Sequence, residues 1–305
     1  MEPANKLVDL EIKDAQLIFK QVWDDLEKSP GKDQLHFPRE IIWLGGAPGA
    51  GKGTNTPFIM KIRDITAPPV VVSDLLSSPE AKKIKDAGGL VGDREVTGLL
   101  FRKLLEGASR SGVIVDGFPR TKVQVEILKM FHDKQVELHN EFRGSAKEPF
   151  FQRPLYHVVL LFVDENESVA RQLKRGREIL LQNQQARETG IGRLQEERAT
   201  DLSEEHARKR YRVFKETTFD ALQSLRNFFQ YHFIDAKASL AQVESRIVEE
   251  FTYQSSLELD SRTFDLIGKI PLAKDLVTHA RQELVKRLNH YAKDEADLFK
   301  RVIKL

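Results

Sequence analysis

The chain has 305 residues, enough for one large domain or two ordinary ones, and its 48 Lys and Arg nearly cancel 46 Asp and Glu, leaving a formal charge of +2. That balance gives no whole-protein argument for nucleic acid or an anionic membrane, so any anion site must be local. The chain has no cysteine, which excludes disulfides, thiolate catalysis and a four-cysteine zinc site. No zinc is expected, since the eight histidines are dispersed without a close metal-ligand pair.

A helical amino-terminal segment is expected over roughly Lys6 to Glu27, closed by Ser29-Pro30-Gly31. Short apolar runs rich in β-branched residues follow at Ile41 to Leu44, Val70 to Val72, Val113 to Val115, Tyr156 to Val163 and Tyr231 to Ile234, separated by longer amphipathic segments. This alternation predicts a five-stranded parallel sheet wrapped by helices, a three-layer α/β/α arrangement. Each run ends beside polar or Gly-rich chemistry, as a ligand at the carboxyl edge of an open sheet requires.

The first run empties into Gly46-Ala47-Pro48-Gly49-Ala50-Gly51-Lys52-Gly53-Thr54. Glycines let successive backbone N–H groups converge on phosphate oxygens, the next helix points its positive end at the same anion, and Lys52 reaches the outer phosphates. Between the second and third runs, helical stretches are expected at Pro79 to Ala87 and Asp93 to Leu105, broken at Gly88-Gly89. The third run ends in Asp116-Gly117-Phe118-Pro119-Arg120-Thr121, with Gln124 beyond it. A strand-end aspartate beside a phosphate loop is where a carboxylate holds magnesium through water, and Arg120 can fork onto a second phosphate.

From Arg171 to Lys215, twelve Lys and Arg face seven Asp and Glu. Within that region, Arg177 to Ala199 is polar, with Gly190 and Gly192, and reads as an exposed excursion between two helices. Beyond Phe251, a helix opened by Pro271 is expected, with Leu272, Leu276, Ala280, Leu284, Leu288 and Tyr291 on one face. That face is expected to pack on the core, the alternatives being a dimer seam or another protein. No apolar run has bilayer length and the start is not a signal peptide, so a cytoplasmic protein is expected.

The glycine loop, with Gly53 where the general pattern has Ser or Thr, resembles that of adenylate kinases and related nucleoside monophosphate kinases. The hexapeptide from Asp116 to Thr121 and Gln124 is similar to their acceptor motif. Arg171-Gln172-Leu173-Lys174-Arg175-Gly176 and Glu204-Glu205-His206-Ala207-Arg208-Lys209-Arg210 resemble the two ends of their lid. The resemblance covers about Ile41 to Phe251, and it divides the chain into an amino-terminal helical extension (1–38), a P-loop kinase core (39–251) and a carboxyl-terminal helical extension (252–305). The core carries an acceptor-binding insertion near 73–105 and a lid near 177–199.

The implied activity is reversible transfer from ATP-Mg to AMP, giving two ADP. The resemblance implies Lys52, Arg120, Arg175, Arg198 and Arg210 as catalytic cations; Arg198 lies one residue too far from Arg210, with Arg193 as its alternative. Gly49, Ala50, Gly51, Lys52, Gly53, Thr54 and Arg171 would hold ATP, with Arg171 against the adenine. Asp74, Val91, Gly117, Arg120 and Gln124 would hold AMP, and Thr54 and Asp116 would serve magnesium, directly or through water. The chain departs from the family where a threonine becomes Val72 and a phosphate-gripping arginine becomes Ser77, so Arg120, or Arg94 reaching in, is expected to compensate. The departures keep open a kinase for UMP or CMP, or a non-catalytic ATP-binding regulatory module. A monomer is expected, with a dimer through the carboxyl-terminal helix as the alternative; neither nucleic acid nor membrane is a partner.

Overall fold

The computed structural model describes residues 3–77, 92–255 and 296. The expected helix at Pro79 to Ala87, Val91 and the apolar face from Leu272 to Tyr291 lie outside the described residues. Five strands, β1 (Ile41–Gly46), β2 (Val70–Val71), β3 (Val113–Asp116), β4 (Tyr156–Phe162) and β5 (Gln230–Asp235), form one sheet in the order β2-β3-β1-β4-β5, and every neighbouring pair is parallel. Ile41 to Leu44 on β1 and Val158 to Leu161 on β4 are at most 1% exposed, because both faces of these strands are covered by helices.

Helix α1 (Pro3–Leu26) precedes the sheet, α2 (Lys52–Ile62) follows β1, and α3 (Val72–Leu75) and α4 (Asp93–Leu104) lie between β2 and β3. β2 stops at Val71, and Val72 opens α3 instead of extending the strand. Helix α5 (Lys122–Phe142) leads to β4, α6 (Glu165–Thr189), α7 (Glu204–Val213) and α8 (Asp220–Ser224) lead to β5, and α9 (Leu240–Ser255) follows it. The chain leaves β1 toward the β2 edge and later crosses back to β4. Connections therefore diverge at the carboxyl end of β1, the place where open α/β sheets take ligands.

The amino-terminal helix belongs to the core. Ala15, Val22, Trp23 and Leu26 of α1 are buried. Trp23 lies 6.3 Å from Phe131 of α5, and Phe19 lies 6.3 Å from Phe101 of α4, with Phe101 and Phe131 stacked at 4.1 Å. At the amino edge of the sheet, the buried Glu40 carboxylate accepts from Arg63 Nε at 3.1 Å and from its terminal nitrogen at 2.6 Å, tying the end of α2 to the start of β1. An ion pair this enclosed needs such geometry to offset desolvation.

The polar segment from Arg177 onward is helical as far as Thr189, where Gly190 ends α6 with φ +68°. Its Gln, Arg, Glu, Leu and Ala residues favour helix without an apolar stripe, and a helix running past the core needs none. The non-helical stretch is thereby limited to residues 190–198.

Candidate active site

β1 delivers the chain into a tight loop. Gly49 (φ +73°) and Gly51 (φ +81°) adopt left-handed backbone, and a Cβ on Gly49 would sit 3.0 Å from the Ser168 carbonyl and 3.2 Å from Arg171 Cβ. Glycine is required there because α6 closes over the loop. Ser168 Oγ donates to the Pro48 carbonyl at 2.6 Å, Asn55 Nδ2 to that of Gly51 at 2.8 Å, and Thr56 Oγ1 to that of Lys52 at 2.9 Å. No side chain caps the start of α2, so its first amides remain for an anion. Gly53 and Thr54 are exposed on that first turn, and nothing lies within 4 Å of a Cβ on Gly53.

Lys52 donates to the Gly46 carbonyl at 3.2 Å. Burial pulls its pKa down to about 8; Asp116 opposes this, and Arg120, Arg210 and Arg175 reinforce it. Arg120 is also lowered, by burial against the opposing pull of Asp116 and with the repulsion of Arg198. Arg210 is lowered to about 10 by burial, opposed by Asp201 and reinforced by Arg198, Arg175 and Arg120. Lys52, Arg120 and Arg210 are thus close enough to feel other cations of this set, and Asp116, which ends β3 opposite Leu44 of β1, acts on Lys52 and Arg120. Such a surplus of positive charge is suited to a polyphosphate.

Arg175 donates to both oxygens of the buried Asp201, at 2.7 and 2.8 Å, and Arg210 approaches Asp201 Oδ1 at 3.4 Å. A Cβ on Gly176 would overlap the Asp201 carbonyl, so α6 and the turn Ala199–Asp201 touch backbone to backbone. Asn183, 1% exposed, donates to the Gln195 carbonyl and to Glu197, both at 2.9 Å, and accepts from Gln195 N at 2.7 Å. It pins residues 190–198 back on α6. Neither Asp201 nor Asn183 was among the residues singled out in the sequence; the arginine-to-aspartate spacing from Arg198 could have found the first, and no local pattern marks the second.

Arg171 lies against the glycine loop and donates to Glu167 at 2.6 Å, to the Ala236 carbonyl at 3.0 Å and to that of Lys237 at 3.3 Å. On the acceptor side, Arg120 Nε donates to the Gly117 carbonyl at 2.7 Å, and its guanidinium occupies the space a side chain at 117 would need. Gln124 is buried, with its amide bonded to Arg120 N and to Asp93. Asp74 is exposed beside Ser73, and Arg94 lines a groove between α1 and α4 that also contains Asp14 and Asp25. Among the described residues no three His, Cys, Asp or Glu side chains form a metal site. One carboxylate and one hydroxyl suit magnesium held mainly by water and substrate phosphate.

A family model described as an AAA domain matches residues 45–188. An adenylate kinase from Methylobacterium radiotolerans is 38% identical over 156 residues, covering 48% of this chain and 68% of the relative. The chain belongs to the adenylate kinase family. A second such relative, the adenylate kinase of Beijerinckia indica subsp. indica, is 36% identical over 147 residues, 45% of this chain and 66% of its own length. The chain thus spans about two thirds of the length of these relatives, and its parallel sheet and glycine loop are those of a P-loop α/β/α fold. Among the described residues no helix is long and apolar enough to cross a membrane.

Proposed function

We propose that the chain moves the γ-phosphoryl of ATP onto AMP, reversibly, giving two ADP. The observation that carries this reading is the glycine loop with left-handed Gly49 and Gly51 at the carboxyl end of β1, beside the strand-end Asp116, with Arg175 and Arg210 gathered on Asp201. The family's name for its members agrees with it. In the transfer, the bond from Pγ to the β–γ bridging oxygen breaks and a bond from Pγ to an AMP phosphate oxygen forms, with no covalent enzyme intermediate. Charge spreads over the equatorial oxygens in the transition state, and fixed cations lower its energy.

Amides from Gly49 to Thr54 hold the ATP phosphates, Lys52 follows the transferring group, and Arg120 orients the acceptor phosphate. Arg175, Arg198 and Arg210 close around the phosphoryl from the lid side. Arg171 lies against the donor base, while Asp74, Val91, Gly117 and Gln124 surround AMP. Thr54 and Asp116 would hold magnesium, which when bound neutralises charge on the phosphates. Approach of residues 190–198 would exclude water, the competing acceptor. The protein acts as a cytoplasmic monomer in this reading.

The test is ADP formation by the purified protein from ATP-Mg with AMP, GMP, CMP and UMP offered separately. AMP is expected to be the best acceptor. Turnover with UMP or CMP alone would move the assignment to a pyrimidine kinase, and ATP binding with no diphosphate formed would make the chain a regulatory module, the reading Ser77 favours.

A further inference from the structure

Gln124, which the proposed function sets against the acceptor base, is held in one of two amide orientations by its neighbours. Its Oε1 accepts from the backbone N–H of Arg120 at 2.7 Å, and its Nε2 donates to Asp93 Oδ1 at 2.8 Å. Thr121 Oγ1 donates to the same Asp93 oxygen at 2.9 Å and accepts from Gln124 N at 3.1 Å, capping α5. Asp93 is the first residue of α4 and Gln124 lies in the first turn of α5, so two helices meet through one carboxylate oxygen.

A side-chain amide is nearly the same shape either way round, yet these partners distinguish its ends. A main-chain N–H only donates and a carboxylate only accepts. Turning Gln124 over would set its oxygen against Asp93 and its NH₂ against the Arg120 N–H, two repulsive contacts in a buried place. Held as observed, the amide keeps one N–H on Nε2 and one lone pair on Oε1 for a ligand.

A 6-aminopurine offers the complement, an acceptor ring nitrogen beside an amino donor, whereas a 6-oxopurine puts an acceptor where that donor stood. The Oε1 lone pair would then face another oxygen, and only the reversed amide would present an N–H to it. We infer that Asp93 is a specificity-determining residue, which fixes the Gln124 amide and so makes the acceptor site select a 6-aminopurine over a 6-oxopurine. This rests on the proposed acceptor role of Gln124. Asp93 acts through Gln124 and is a positioning residue.

The probes are AMP and IMP, identical in ribose and phosphate and different at position 6. Binding of each by calorimetry and turnover of each with ATP-Mg are to be measured on the full native chain and on Asp93→Asn and Asp93→Ala, with ATP affinity as the control for folding. The native chain is expected to prefer AMP by about tenfold or more, as leaving the buried Oε1 acceptor of Gln124 without a donor would predict. In Asp93→Asn the new side chain can donate or accept, one of the two constraints is gone, and the AMP-to-IMP ratio should narrow about tenfold; Asp93→Ala should narrow it as well. A purely structural role for Asp93 would lower both nucleotides together and leave the ratio unchanged, which would overturn the inference. If AMP is still phosphorylated in that case, the proposed function stands by itself; if the native chain binds neither purine and phosphorylates only a pyrimidine monophosphate, both fall.

Discussion

Replacing Gly176 with alanine opposes a local preference to a tertiary contact. In the interior of a helix such as α6, alanine is ordinarily better than glycine by about 1 kcal/mol. Here the new Cβ would overlap the Asp201 carbonyl oxygen, sit 2.8 Å from its carbonyl carbon and lie 3.1 Å from Leu202 Cδ2. Two of these are backbone atoms, so no rotamer change relieves the overlap and the turn Ala199–Asp201 must retreat from α6. Overpacking of this kind costs about 1–3 kcal/mol, which leaves a net loss of about 0–2 kcal/mol where propensity alone predicts a gain. For a chain of this size that is a fall in Tm of at most about 8 °C. Turnover should suffer more, because the bonds of Arg175 to Asp201 run through the displaced turn and a misplacement of about 1 Å at a reacting centre costs about 100-fold. We expect kcat to fall about 10- to 100-fold in a coupled ADP assay, with ATP affinity at the glycine loop within about twofold of native. A Gly176→Ala chain that melts higher and turns over at the native rate would refute the contact.

Lys52→Ala should keep a native circular dichroism spectrum and lose about 100- to 1000-fold or more in kcat, through loss of charge at the transferring group; near-native turnover would sink the role of the loop lysine. With Lys52 titrating near pH 8 in the free chain, ATP affinity should fall as pH rises through about 8 and binding should take up a proton just above it, seen by calorimetry in buffers of different ionisation heat. The free chain should change oppositely: because the unfolded lysine binds its proton up to about 10.5, native stability relative to Lys52→Met should rise between about pH 8 and 10.5. Asn183→Ala should raise hydrogen exchange across residues 190–198, and diadenosine pentaphosphate should slow exchange there in the native chain; equal exchange in both chains would show that Asn183 does not pin the loop. Ser77→Arg should lower the Michaelis constant for AMP with little effect on ATP affinity, and an unchanged constant would show that the residue at 77 does not contribute to acceptor binding.

Much of the carboxyl edge of the sheet was legible because it is written locally. A buried parallel strand declares itself as an unbroken β-branched run, and Gly49 and Gly51 mark backbone that only glycine adopts easily. Asp116 and Arg120 sit at fixed offsets from a strand end. The polar composition from Arg177 to Thr189 was less informative, since a charged, Gln-rich segment is compatible with either loop or helix until a core end is available to extend from. Val72 likewise looks like strand by its side chain and begins a helix by its place in the chain.

By itself the sequence determined the five-strand alternation and the glycine loop, because each strand and the loop are written in residues within a few positions of one another. Only the tertiary structure decided that α1 completes the aromatic core through Phe19 and Trp23, that Asp201 answers Arg175 and Arg210, and that Asp93 sets the orientation of Gln124. Except for Arg210, nine residues from Asp201, these are pairings across tens of residues. Spacing can point to an aspartate such as Asp201, but its partner is chosen by how the helices cross, which no short stretch of chain specifies.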